Sequence, residues 1–145
     1  MANTFYNEIL TDHNMNPVHK HKIDDPSIEL EGINPSCGDD IVLSLKVEDG
    51  IVKDGGFSGD GCAISQASCD MMLDLIIGKK VDEAKRLADI FLRMITGKIT
   101  PEEKNELEEA QILEDVAHMP ARTKCAVLGW HTMEEMLSED KKEDK

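Results

Sequence analysis

Aromatic residues are nearly missing from this chain: three Phe, one Trp and one Tyr among 145 residues. So little ring mass argues against a deep pocket for an organic substrate. Basic charge is scarce as well. Sixteen Lys+Arg stand against 30 Asp+Glu, for a formal net charge of -14. A polyanion of that size is repelled by nucleic acid and by anionic membrane surfaces. The expected partner is a protein with a basic docking surface. No apolar run approaches the roughly 20 residues of a membrane span. The opening residues, Met1-Ala2-Asn3-Thr4-Phe5, lack a basic region followed by an apolar one, so no secretory signal is expected and the expected location is cytoplasmic. In that reducing compartment thiols bind metal or do chemistry more often than they form disulfides. A Cys-x-x-Cys pair is also missing, which excludes the zinc-ribbon and thioredoxin patterns. No internal repeat is present.

What remains is enough for one domain with a real core. The expected domain spans 1–138, and the charged stretch 139–145 is expected to be a disordered tail. Residues 4–13 carry Phe5, Ile9 and Leu10 at helical spacing, and 14–25 read as a loop. Ile28 and Leu30 alternate with polar residues in a short strand that ends at Asn34-Pro35. Ile41, Leu43, Leu45 and Val47 alternate in a second, and Asp49-Gly50 turns the chain back into a third over 51–57. Gly55 and Gly56 predict a bulge or a close backbone approach there. After Gly61 the period becomes helical. Helices are predicted over 62–77 and 81–96, ending at Gly78 and Gly97. Thr100-Pro101-Glu102-Glu103 is a capping box that opens an acidic stretch to about Val116. Pro120 precedes a last helix over 121–137. Strands first and helices later predict an α+β fold: a small antiparallel sheet of about three strands, packed on one side by helices.

Three short motifs carry the chemistry: Asn34-Pro35-Ser36-Cys37-Gly38-Asp39, Gly59-Asp60-Gly61-Cys62 and Arg122-Thr123-Lys124-Cys125. Each puts a cysteine on a turn or near the mouth of a helix. Unpaired N–H groups and the helix dipole at such a mouth favour thiolate, the form that binds metal or attacks sulfur. Cys37, Cys62, Cys125 and Asp39 make a complete ligand set for a tetrahedral metal. Gly38 lets one turn aim both Cys37 and Asp39 at a common target. Three thiolates and a carboxylate around a divalent ion leave an excess of negative charge, which Arg122 and Lys124 would offset. Taken singly, each cysteine reads as buried filler; the three contexts together favour a metal site. Cys69 follows Cys62 by seven residues, about 10 Å along the helix, too far to share an ion, and reads as a core residue. His131 reads as a surface residue and His118 as a reserve ligand. His19 and His21 read as part of a solvated or docking loop. The eight methionines read as core filling, with an adaptable contact surface as the alternative for Met71 and Met72.

These motifs, with Asn16-Pro17, Gly61-Cys62-Ala63-Ile64-Ser65, Met71-Met72 and Pro120-Ala121, resemble the IscU-like family of iron–sulfur cluster assembly proteins. The resemblance spans about residues 5–137. Lys124 stands where scaffold-type members carry histidine, and 97–116 looks like the insertion of the SufU-type branch. That resemblance implies the IscU-like fold and one zinc ion on Cys37, Asp39, Cys62 and Cys125. It also implies that Cys37 accepts persulfide sulfur from a cysteine desulfurase of the SufS type and feeds downstream cluster assembly proteins. The alternative it leaves is a scaffold holding a [2Fe–2S] cluster on nearly the same ligands. A small structural-zinc interaction domain is a third reading, disfavoured by the flexible Cys37 turn. Cys69 departs from the family pattern, where a small non-thiol residue is usual.

Overall fold

A computed structural model describes Met15 and residues 17–34, 38–118 and 120–143, except for the side chains of 63, 109, 115–118, 120–122 and 139–143. The helix expected over 4–13 lies outside the described residues. Strands β1 (Ile28–Asn34), β2 (Asp39–Glu48) and β3 (Ile51–Asp60) form an antiparallel meander in that order. The α+β expectation holds, with the sheet running into a series of helices.

Register follows from the pleat and the turns. Asn34 faces Asp39 at one end of β1–β2, and Ile28 faces Leu45 at the other. The β2–β3 turn is Asp49-Gly50, both residues at positive φ (55° and 73°). That geometry matches the twist of a hairpin and suits an Asp-Gly pair. Along β2, Ile41, Leu43 and Leu45 are all buried. The same period of two carries Asp39 to the core face, while Asp40 is exposed. The ladder irregularity falls beside Val47, which faces Val52 while Lys46 faces Asp54, so Lys53 is the extra residue. Gly55 and Gly56 lie next to that bulge and meet the close approach expected of them. A Cβ on Gly55 would come 2.8 Å from Leu73, and one on Gly56 would strike the His21 carbonyl.

Helix α1 (Ala63–Ile76) packs against β3, and α4 (Pro120–Glu143) packs against β1, β2 and α1. Between them come α2 (Val81–Ile95), the short α3 (Pro101–Asn105) and a 3₁₀ segment, Glu108–His118. Gly78 and Gly97 follow the ends of α1 and α2 as the sequence predicts. The capping box is present at Thr100 and Glu103. It opens one turn and a half of α-helix, after which the acidic stretch tightens to 3₁₀. The last helix continues past Leu137 to Glu143.

Phe91 on α2 stacks on Trp130 of α4, with centroids 4.2 Å apart and planes 4° from parallel. The Trp130 indole N–H donates to Ser68 Oγ (2.9 Å), and Ser68 donates to the Ala126 carbonyl (2.6 Å). This chain of bonds satisfies the polar atoms buried between α1 and α4. Met71 and Met72 are buried as core filling. Arg93 bridges Asp89 and Glu103, and Arg86 bridges Glu83 and Glu106, so two guanidinium forks fasten the region after α2 onto that helix. No described helix is long and apolar enough to cross a membrane.

Candidate metal centre

Asp39 opens β2 on its core-facing side and is 1% exposed. A buried carboxylate needs donors. The Cys62 backbone N–H donates to its Oδ1 at 2.8 Å, and Asn34 Nδ2 donates to its Oδ2 at 3.4 Å. Asn34 Nδ2 also reaches Cys125 Sγ at 3.9 Å. Asn34 is therefore a component that sequence reasoning treated only as a turn residue. The available signal was its place in the same short motif as Asp39, five residues before it.

Cys62 is the N-cap of α1, in extended conformation, and its Sγ accepts from the Ser65 N–H at 3.4 Å. Ser65 Oγ donates to the Cys62 carbonyl at 3.2 Å, and Gln66 Nε2 donates to the Gly61 carbonyl at 2.7 Å. The thiol at a helix mouth is thus held from both flanks. Cys125 is buried in α4. A carboxylate oxygen of Asp39 and the sulfurs of Cys62 and Cys125 all lie within 4.8 Å of one another. Donors about 2.3 Å from a tetrahedral ion stand about 3.8 Å apart, so a small inward adjustment suits this trio to zinc. Two thiols and a carboxylate are also a chemically apt donor set for that ion.

Gly38, at φ 72°, leads into Asp39 in a conformation that favours glycine. Cys37 and the side chain of Arg122 lie outside the described residues. Lys124 is exposed one residue before Cys125. Cys69 is fully buried, and a Cβ on Gly129 of α4 would come 2.5 Å from its sulfur. Burial, followed by the charges of Asp39 and Asp70, pushes its thiol up to about 12. It is a core residue, as expected of a free cysteine outside the ligand set. His131 is exposed, also as predicted. His19 is not simply solvated. Its backbone N–H donates to the buried Asp70 at 2.9 Å, and its ring meets Asp74 at 3.4 Å, fastening the loop before β1 onto α1.

Residues 5–126 match the NifU-like N-terminal domain. The chain belongs to that family. It is 43% identical over 132 residues to the iron–sulfur cluster assembly scaffold protein IscU of Thermotoga maritima, covering 91% of this chain and 92% of that one. It is 38% identical over 137 residues to the zinc-dependent sulfurtransferase SufU of Bacillus subtilis, covering 94% and 92%. The crystal structure of a candidate iron–sulfur cluster assembly scaffold protein for the SUF system from Fervidobacterium islandicum AW-1 superposes with a TM-score of 0.83. That protein is 35% identical, with 94% of this chain and 99% of that one covered. Membership agrees with the resemblance read from the cysteine motifs. Asp39, Cys62 and Cys125 are the last residues of the three motifs, one from each.

Proposed function

We propose that this chain works in iron–sulfur cluster assembly as a zinc-dependent sulfurtransferase that accepts persulfide sulfur from a cysteine desulfurase. The observation that carries the reading is the convergence of Asp39, Cys62 and Cys125 within 4.8 Å, with Asp39 two residues after Cys37 in the sequence. The SufU relative, named a zinc-dependent sulfurtransferase, supports the choice of metal and chemistry.

In this reading Cys37, Asp39, Cys62 and Cys125 hold the ion. Zinc, when bound, supplies the positive charge that keeps the thiols deprotonated. Asn34 and the Cys62 N–H hold the Asp39 carboxylate, and the N-terminus of α1 favours the Cys62 thiolate. Cys37 is the acceptor, because its loop contains glycine whereas Cys62 and Cys125 are held by helices. Its thiolate attacks the outer sulfur of the desulfurase persulfide. A new sulfur–sulfur bond forms on Cys37, the donor's own sulfur–sulfur bond breaks, and the donor cysteine leaves as thiolate. Arg122 and Lys124 supply positive charge that offsets the negative charge of the site. A Lys124→Glu variant is expected to transfer sulfur more slowly at an unchanged melting temperature; unaltered kinetics would remove that role.

The test is mass spectrometry after incubation with desulfurase and cysteine. The added sulfur is expected on the Cys37 peptide only when zinc is present. Sulfur on Cys125, with a Cys37→Ser variant still accepting it, would overturn the assignment. A second reading, a scaffold for a [2Fe–2S] cluster, draws on the 43% identity to the Thermotoga scaffold protein. Soft thiolates suit both metals. Anaerobically purified protein that is red and passes iron and sulfur together to an acceptor would favour it over the first.

A further inference from the structure

The peptide that joins Gly61 to Cys62 is hydrogen-bonded at both ends. Its N–H, which belongs to Cys62, donates to Asp39 Oδ1 at 2.8 Å. Its carbonyl, which belongs to Gly61, accepts from Gln66 Nε2 at 2.7 Å. That carbonyl lies ahead of the Cys62 N-cap, so the ladder of α1 does not supply its donor. The other end of the same side-chain amide, Gln66 Oε1, accepts from the Lys20 ammonium. The two partners fix which way the amide points, because a carbonyl needs its NH₂ end and an ammonium needs its oxygen.

A series results: the Lys20 ammonium, the Gln66 amide, the Gly61–Cys62 peptide and the Asp39 carboxylate. Every donor in it points from the cation toward the anion. Hydrogen bonds aligned in this way polarise one another, so each is stronger than it would be alone. Lys20 is exposed, but the residue before it is anchored. The His19 N–H donates to the buried Asp70 of α1 at 2.9 Å, and the His19 carbonyl accepts from the Phe57 N–H of β3 at 3.0 Å. An anchored backbone lowers the entropy lost when the lysine stem is held in one place.

We propose that Lys20 and Gln66 are positioning residues of the metal centre. Through the Gly61–Cys62 peptide they hold the Asp39 carboxylate and the Cys62 thiol where an ion needs them. The proposal rests on the reading of Asp39, Cys62 and Cys125 as metal ligands. Acting through space alone, Lys20 would have the opposite effect. Its positive charge disfavours a divalent cation nearby, so its removal would tighten zinc. Acting through the relay, its removal loosens Asp39 and weakens zinc, as the loss of ligand-orienting groups does. The sign of one substitution separates the two.

Zinc competition with a chromogenic chelator, beside amide NMR of the zinc-free protein, tests the proposal on the full chain. Lys20→Met keeps the aliphatic stem and removes the cation at an exposed position, so the fold is retained. It is expected to weaken zinc about two- to fivefold, the range of an exposed charge contact. It should also move the Cys62 amide proton upfield, as the bond to Asp39 weakens. Lys20→Arg should restore both. Gln66→Met removes both ends of the amide at similar volume and is expected to weaken zinc about tenfold. In that background Lys20→Met should no longer weaken zinc, because the link is already cut. Zinc held equally or more tightly by Lys20→Met, or a Cys62 amide proton that does not move, would overturn the proposal. So would full additivity of the two substitutions, which would mark two independent effects. In each of these cases the parent chain still binds zinc and the ligand reading stands. A parent chain that binds no zinc would remove that reading and this proposal with it.

Discussion

The backbone N–H of Cys62 donates to Asp39 Oδ1 at 2.8 Å. This one bond joins the first residue of β2 to the N-cap of α1. It gives a buried carboxylate a donor and satisfies one of the free N–H groups at the helix mouth. Sheet and helix are therefore locked together at the point where two proposed ligands meet. Replacing Asp39 with Ala should be felt by the protein without metal, not only by the metal. The zinc-free variant is expected to lose about 1–3 kcal/mol, the penalty for a buried donor left without its partner. Its zinc should also exchange faster. Urea denaturation of both zinc-free proteins, beside zinc release to a chromogenic chelator, measures the two effects. Parental values in both would reduce Asp39 to a turn residue.

Asn34 should matter to metal affinity although it is not itself a proposed ligand. Its amide reaches Asp39 at 3.4 Å and Cys125 at 3.9 Å. Groups that orient ligands in this way typically change affinity by about 10–100-fold when removed. Asn34→Ala is expected to weaken zinc by about that factor in a chelator competition. An unchanged dissociation constant would leave Asn34 as no more than the closing residue of the hairpin.

Glu103 gives the fold a defined acid sensitivity. The Arg93 guanidinium, helped by the Thr100 backbone N–H, lowers its carboxyl from 4.5 to about 2. A folded value below the unfolded one means the contribution is complete above 4.5 and fades as pH falls toward 2. Glu103→Gln should therefore lower the denaturation midpoint at neutral pH, and the gap to the parent should close through that acid window. Solvent screening keeps the effect small, because the pair is partly exposed. A gap that stays constant from neutral pH down into that window would show that the charge on Glu103 is not the source.

Cys69 and Gly129 should behave as a coupled pair. A methyl group on Gly129 would lie 2.5 Å from the Cys69 sulfur. Gly129→Ala is expected to destabilise by about 1–3 kcal/mol through overpacking, despite the better helix propensity of alanine. Adding Cys69→Ala should restore part of that loss. Strict additivity in the double-mutant cycle would contradict the contact. The buried, protonated thiol should also resist alkylation at mildly alkaline pH until the protein unfolds.

Much of this architecture was legible from neighbouring residues. Alternating Ile41, Leu43 and Leu45 required a half-buried strand, and Asp49-Gly50 required the turn that follows it. Gly78 and Gly97 marked helix ends, Cys62 read correctly as a helix mouth, and seven-residue spacing set Cys69 apart from Cys62. Each of these depends on φ/ψ preference or periodicity within a few residues, which the sequence states directly. The tertiary structure decided the rest. It tightened the acidic stretch after α3 into a 3₁₀ segment, and it paired Glu103 and Glu106, just ahead of that segment, with two arginines of α2. It turned Asn34 from a hairpin residue into the donor shared by Asp39 and Cys125. It tied His19 to α1 through Asp70 and Asp74. Above all, it brought an oxygen of Asp39 and the sulfurs of Cys62 and Cys125 within 4.8 Å. No local pattern sets that distance: it depends on how α1 and α4 pack against the core face of the sheet, and that packing is a property of the whole buried interior.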